Sequence, residues 1–319
     1  MADELHRFMF QAAPVRGGMI QLKDTWREIL SRRDYPASVR ELLGQMTSAA
    51  ALLTASLKFE GSMIMQIHGD GPVRLLVVEC QSNLDMRATA TLAEDAHIAE
   101  DASLTDMLNA EGRGRFAITL DPQRKTPGQQ PYQGIVPLSD ENGPLTSMAA
   151  VLERYMRSSE QIEARIWLAA DAQSAGGLLL QKMPDAGGKA GSLPREVDAD
   201  AWGRVCHLGA TLSTDELLKV DTETVLRRLF LQESEEHGVR LFPPQRANFR
   251  CICSRAKVGG MLRMLGQPEV ESILEERGLV DVQCEFCGQG YTFDPVDCRQ
   301  LFASQTLTEG IRSAPTRRQ

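Results

Sequence analysis

Cys251-Ile-Cys253 is followed, after 30 intervening residues, by Cys284-Glu-Phe-Cys287. Two close pairs of thiols at this spacing match a closed, tetrahedral, all-cysteine zinc site, with each pair on a turn or strand end so that both sulfurs can face one ion. Cys284-Glu-Phe-Cys-Gly-Gln also has the form of a zinc-knuckle turn, in which a glycine after the second cysteine lets backbone N–H groups point at sulfur. Few large apolar residues lie near the motif. A module of roughly 60 residues with so small a core depends on metal binding for much of its folding free energy. Zinc would hold all four sulfurs as thiolates, the form that oxidants and disulfides attack. Oxidation would then remove the ligands and unfold the module, so the arrangement suits a reversible sensor better than a permanent staple.

The elements around the motif can be read by working outward. A strand is expected through Phe249 to Cys253, a helix near Lys257 to Leu265, and a second helix from Pro268 that carries Val270, Ile273 and Leu274 on one face and stops at Gly278. A hairpin across Cys284 to Phe293 follows. Pro243-Pro244 separates this module from a helical, acidic stretch running back to about Val197. Within it Ser213-Thr-Asp-Glu216 is a capping box, and Val225, Leu226, Leu229 and Phe230 mark one helix face. Its helices are shorter than the roughly 12 to 15 residues that persist alone in water, so they must dock on something. That dependence makes the segment a plausible switch element. Undocking would expose Leu217, Leu218, Val225, Leu226, Leu229 and Phe230 among many acids, an apolar contact surface that the charge would keep in solution. Pro184-Asp-Ala-Gly-Gly-Lys-Ala-Gly-Ser-Leu-Pro194 is a composition break and reads as an exposed loop.

Residues 1 to 184 read as one mixed α/β domain. Val39, Leu42, Leu43, Met46, Ala50, Leu53 and Leu57 recur at helical spacing, which predicts a buried helix over Ala37 to Leu57. Alternation at Met63, Met65 and Ile67, the turn Gly69-Asp-Gly-Pro72, and the run from Val73 to Cys80 predict a hairpin or meander. Further strands are expected at Met86 to Leu92, Arg115 to Leu120, Tyr132 to Leu138, Ile162 to Ala169 and Gly177 to Met183, and a helix near Leu145 to Met156. The fold class is α+β: an α/β core domain (1–184), a metastable helical linker (185–245), a small four-cysteine zinc-binding domain (246–305) and a flexible tail (306–319).

Composition narrows the function. The 319 residues carry 43 acidic and 35 basic side chains, a net charge of −8, which disfavours a general nucleic-acid or anionic-membrane binder. Half of that excess falls between 213 and 236. The N-terminus has no apolar leader pattern and no run reaches the roughly 18 apolar residues of a membrane span, so the expected location is the cytoplasm. In that reducing compartment clustered cysteines are more often metal ligands or redox groups than structural disulfides. The five histidines show no zinc-hydrolase spacing, and there is no Walker A sequence.

The chain resembles the redox-regulated heat shock protein 33 family, holdase chaperones of the cytosol. The resemblance is carried by the two cysteine pairs together with Leu5-His-Arg-Phe, Val15-Arg-Gly, Leu52-Leu-Thr-Ala-Ser-Leu-Lys-Phe59, Gly69-Asp-Gly-Pro72, Tyr132-Gln-Gly-Ile-Val136, Tyr155-Met-Arg-Ser158, Gly176-Gly-Leu-Leu-Leu-Gln181 and Cys251-Ile-Cys-Ser-Arg255. It implies one zinc ion per chain on Cys251, Cys253, Cys284 and Cys287 in an inactive reduced form. It further implies oxidation to Cys251–Cys253 and Cys284–Cys287 disulfides, zinc release, unfolding of switch and linker, and binding of unfolding client proteins by a homodimer without ATP, for which Leu217, Leu218, Val225, Leu226, Leu229 and Phe230 are the expected client-binding surface. No catalytic residue is implied. Such disulfides would close very small loops and would not rescue the module, and a CxC pair is expected to be strained.

Two other classes use the same residues. A thiol–disulfide oxidoreductase would work through Cys284-Glu-Phe-Cys287, although such a motif normally follows a strand and opens a helix. A structural zinc-ribbon interaction module is disfavoured, for nucleic acid, by the acidity. Cys80, Cys206 and Cys298 read as bystanders, and Met63 and Met65 as core residues.

Overall fold

Strands β1 (Glu4–Phe10) and β2 (Val15–Leu22) carry apolar side chains toward both faces of their sheet. Leu5, Ile20 and Leu22 enter one hydrophobic cluster, whereas Phe8, Phe10, Val15 and Met19 enter another. A sheet buried on both sides gives no polar alternation, and so these two strands leave only a weak mark in the sequence. The computed structural model describes residues 3–11, 13–124, 130–183 and 200–312, without the side chains of 235–237 and 304–312. The expected loop from Pro184 to Pro194 and the end of the tail beyond residue 312 lie outside the described residues. Two compact units divide between Arg250 and Cys251.

In the first unit, α1 (Asp24–Leu30) starts where the Asp3 carboxylate accepts backbone N–H bonds from Lys23 (2.6 Å) and Thr25 (2.5 Å). This long-range partner satisfies the helix's first donors and suits its positive end. Helix α2 (Ala37–Ser56) is buried along most of its length, with Val39, Leu43, Met46, Ala50 and Leu53 all within the main core. Its alanines let two sheets approach it closely. Strands β3 (Gly61–His68), β4 (Val73–Gln81), β5 (Asp85–Leu92), β6 (Arg115–Pro122) and β7 (Tyr132–Pro137) form an antiparallel sheet ordered β5-β4-β3-β6-β7. Met63, Met65 and Ile67 alternate inward from β3, so both methionines are core residues. Helix α3 (Leu104–Leu108) begins at a Ser103/Asp106 capping box. The short pair β8 (Ser139–Asp140) and β9 (Gly143–Pro144) leads to α4 (Met148–Ser159), whose Met148, Val151, Leu152, Tyr155 and Met156 face the core. Strands β10 (Ala164–Ala170) and β11 (Ala175–Lys182) then join β2, so that the first sheet reads β10-β11-β2-β1.

The short helices α5 (Ala201–Ala210), α6 (Thr214–Lys219), α7 (Thr222–Leu229) and α8 (Leu231–His237) pack on the face of this sheet opposite α2. Leu217, Leu218, Val225, Leu226 and Phe230 are buried there and Leu229 is partly buried. Phe230 completes a cluster of three rings with Phe8 and Phe10, at centroid separations of 5.3 to 5.9 Å. The Gln21 side-chain amide, on β2, donates to the Leu217 carbonyl at 2.9 Å and also to the Val220 carbonyl. The anticipated capping box is present, since the Ser213 hydroxyl accepts from the Glu216 N–H while the Glu216 carboxylate accepts from Ser213.

Strands β12 (Val239–Leu241) and β13 (Gln245–Arg246) pair with β1, and β14 (Asn248–Phe249) pairs in parallel with β5. The stretch from Arg246 to Phe249, expected at the head of the last module, is therefore drawn into the two sheets of the first unit. There its backbone groups find partners.

The second unit contains α9 (Arg255–Leu265), α10 (Gln267–Arg277), the hairpin β15 (Val280–Gln283) and β16 (Gly290–Phe293), and α11 (Pro295–Arg312). Its described core is Val258, Leu262, Val270, Val280, Phe293 and Cys298. The predicted strand does not continue through Cys253. Residues 250–254 have no regular structure, because Ser254 turns the chain to cap α9 by accepting from the Lys257 N–H. Helix α11 keeps helical backbone through Arg312, so the region from Thr306, expected to fray, begins as helix.

Candidate metal centre

Cys251 and Cys253 lie on the irregular segment just ahead of α9, while Cys284 and Cys287 lie in the turn joining β15 to β16. The turn is closed by the Cys284 N–H donating to the Gln289 carbonyl (2.9 Å) and the Gly288 N–H donating to the Cys284 carbonyl (2.8 Å). Gly288 takes a φ of 72°, a left-handed conformation that costs glycine little. The Gln289 backbone N–H near Cys287 pulls that thiol down, against the effect of burial. Arg255 ties the hairpin to the start of α9. Its guanidinium donates to the Thr292 carbonyl and the Asp297 carboxylate, both at 2.6 Å, and lies 4.2 Å from the Phe293 ring centroid.

The four sulfurs lie within 4.8 Å of one another. Cys251 and Cys284 are 3.7 Å apart, and Cys253 and Cys287 are 3.4 Å apart. Zinc–sulfur bonds of about 2.3 Å in a tetrahedron place sulfurs about 3.8 Å apart. The donor set therefore fits a thiophilic tetrahedral ion. All four thiols are half-buried. Burial pushes the Cys287 thiol up to about 12, with crowding by the other three sulfurs adding to it. A metal ion reverses that balance by stabilising thiolates. Each thiol bound at neutral pH must then give up a proton, so apparent metal affinity is expected to rise with pH. Competition titrations at pH 6.5 and 7.5 should differ by more than about tenfold; equal affinities would mean that the thiols are already ionised.

The remaining cysteines stand apart. Cys80 is fully buried and Cys298 nearly so, while Cys206 is half-buried. Burial raises the Cys80 thiol to about 12 and Cys206 to about 11. These groups are held as neutral thiols, matching their reading as packing residues. The hairpin setting also weakens the oxidoreductase reading, since the residues after Cys287 form a turn and then a strand, with no helix opening at the motif. Sequence reasoning missed Tyr291. Its hydroxyl donates to the Cys253 sulfur at 3.1 Å, and its place in the strand after a knuckle is the only signal that pointed to it.

No helix among the described residues is long and apolar enough to cross a membrane. Fold and site define an α+β protein with a helix-covered sheet and a C-terminal cluster of four cysteines that could hold a metal ion. The family model described as "Hsp33 protein" matches residues 3–294. The 33 kDa chaperonin of Methylobacillus flagellatus is 44% identical over 311 residues, covering 97% of this chain and 98% of the relative. That of Chromobacterium violaceum is 41% identical over 300 residues, covering 94% of each. Among solved structures, the 33 kDa chaperonin (heat shock protein 33 homolog) of Thermotoga maritima aligns with a TM-score of 0.70 at 22% identity, over 95% of this chain and 99% of that one, a likeness of fold. The chain belongs to the Hsp33 family, and so to the chaperones.

Proposed function

We propose that this chaperone is a redox-regulated, ATP-independent holdase of the cytoplasm with no enzymatic turnover. The observation that carries the reading is the gathering of four sulfurs within 4.8 Å in a unit whose described core has six buried side chains. In the reduced form Cys251, Cys253, Cys284 and Cys287 hold one zinc ion, which supplies positive charge that keeps them as thiolates and folding energy for the unit. When peroxide arrives, a sulfur attacks one peroxide oxygen and the O–O bond breaks, giving a sulfenic acid and hydroxide. A neighbouring thiolate displaces the second hydroxide and a disulfide forms. Two thiolates lose two electrons, one peroxide gains them, and two solvent protons convert the hydroxides to water.

The disulfides proposed are Cys251–Cys253 and Cys284–Cys287. Their loops are too small to replace the metal's contribution, and the unit unfolds together with the helical linker. Leu217, Leu218, Val225, Leu226, Leu229 and Phe230 then face unfolding client proteins, with the linker's acids keeping the complex in solution. The oxidised chain acts as a homodimer and takes neither nucleic acid nor membrane as partner.

Peptide mapping after peroxide treatment tests the pairing. The expected products are Cys251–Cys253 and Cys284–Cys287. Predominant Cys251–Cys284 and Cys253–Cys287 bridges, which join sulfurs 3.7 and 3.4 Å apart in the folded site, would instead staple the two halves of the unit together and contradict unfolding on oxidation.

A further inference from the structure

We infer that Tyr291 restrains the reactivity of Cys253 and thereby sets how much oxidant the four-cysteine site withstands before it opens. The inference rests on the reading of the site as an oxidant-sensitive zinc centre. Tyr291 is on β16, across from Val282 of β15, and is half-buried. Its hydroxyl donates to the Cys253 sulfur at 3.1 Å. Both ends of this contact are fixed by rigid elements. Cys253 directly precedes Ser254, the cap of α9, and Arg255, the first residue of that helix, is bonded to the neighbouring Thr292 carbonyl and stacked on Phe293. The phenol is therefore delivered to one particular sulfur and held there by the framework that joins helix and hairpin.

A hydrogen bond to a thiolate withdraws density from the lone pair that must attack the oxidant, so that sulfur becomes a poorer nucleophile. Cys253 lies 3.4 Å from the Cys287 sulfur, and the Tyr291 hydroxyl is such a donor to it. The phenol can be deleted by one substitution. In the step concerned, the Cys253 sulfur would attack a peroxide oxygen, the O–O bond would break with release of hydroxide, and a second thiolate would displace the remaining oxygen as hydroxide to form the disulfide. Two electrons pass from sulfur to peroxide, and solvent supplies the two protons that yield water. Removing the donor leaves this stoichiometry unchanged and speeds the first attack.

Tyr291→Phe keeps the ring and removes the hydroxyl. Full-length wild-type and Y291F proteins, each loaded with one zinc per chain, would be treated with hydrogen peroxide while released zinc is followed with a chromogenic chelator. Y291F is expected to release zinc about three- to tenfold faster, and the share of Cys253 in limited alkylation by iodoacetamide, mapped by mass spectrometry, should rise. In cobalt-loaded protein the sulfur-to-metal charge-transfer band should move to lower energy, a change that a purely structural role would not produce. Val282→Ala, which loosens the facing strand but leaves the hydroxyl in place, should change neither the band nor the Cys253 share. If Y291F fails to load metal, 3-fluorotyrosine at position 291 offers a stronger donor of nearly the same shape, and Cys253 alkylation should slow. Equal release rates, an equal Cys253 share and an unmoved band in loaded Y291F would overturn the inference. Zinc retained by wild-type protein under peroxide would instead count against the functional reading, and the alkylation and cobalt results would still decide the role of Tyr291.

Discussion

Replacing Cys284 by serine is expected to strip the reduced protein of its metal and to unfold the cysteine unit together with the linker helices, while the core built around α2 stays folded. A serine hydroxyl does not ionise near neutral pH, so one of four ligands is lost outright. Structural zinc contributes about 10–16 kcal/mol in small modules, where binding energy is folding energy. A quarter of that is on the order of 3 kcal/mol, comparable to what a core as small as Val258, Leu262, Val270, Val280, Phe293 and Cys298 could be expected to hold in reserve. The first unit has its own large cluster built around α2, which does not draw on the metal. Metal analysis should find far less than one ion per chain, and amide exchange should be fast across α9 and α10 but slow in α2. Full metal content with protected α9 amides would show that three cysteines suffice and that the unit does not depend on the closed site.

The second expectation concerns the linker, where docking and client binding use the same side chains. Phe230 is 1% exposed and sits in the ring cluster with Phe8 and Phe10. Phe230→Ala should cost about 3–5 kcal/mol, enough to undock short helices that have little stability of their own. The reduced F230A protein is expected to lose exchange protection across residues 201–229 and to suppress client aggregation partly without any oxidant, since Leu217, Leu218, Val225 and Leu226 remain available. Replacing Leu217, Leu226 and Phe230 together by serine should undock the linker equally well but erase the apolar surface. Oxidised protein carrying all three substitutions should then lose most of its aggregation suppression, read by light scattering. Undiminished suppression would remove the linker as the client surface.

Much of this organisation is visible in the amino-acid order. The α2 helix, the Met63 to Cys80 meander, the capping box at Ser213 and the paired cysteines each rest on local periodicity or spacing, and the structure places them as expected. What escaped depends on distant partners. β2 contains Gly17 and Gly18 where a strand-former would be expected, because the Phe8 ring lies where a Gly17 side chain would go, 2.3 Å from an added Cβ. α1 is capped by Asp3 from outside the helix's own sequence. Linker helices can be read as needing a docking surface, but nothing local says that it is the second face of a sheet, or that Gln21 ties down the end of α6. At the site the four cysteines that come together were legible, whereas the Tyr291 hydroxyl was not, since its contact with Cys253 spans 38 positions and follows from how the hairpin meets the head of α9.

The account stands on metal loss and client binding being one event. Zinc-loaded reduced protein should be exposed to graded peroxide, and released zinc and suppression of the aggregation of an unrelated unfolding protein measured in the same samples. The prediction is that the two rise together across the series, with no suppression while the metal is held, and that both reverse on reduction with zinc present. Suppression at full metal occupancy, or complete metal release without suppression, would contradict it.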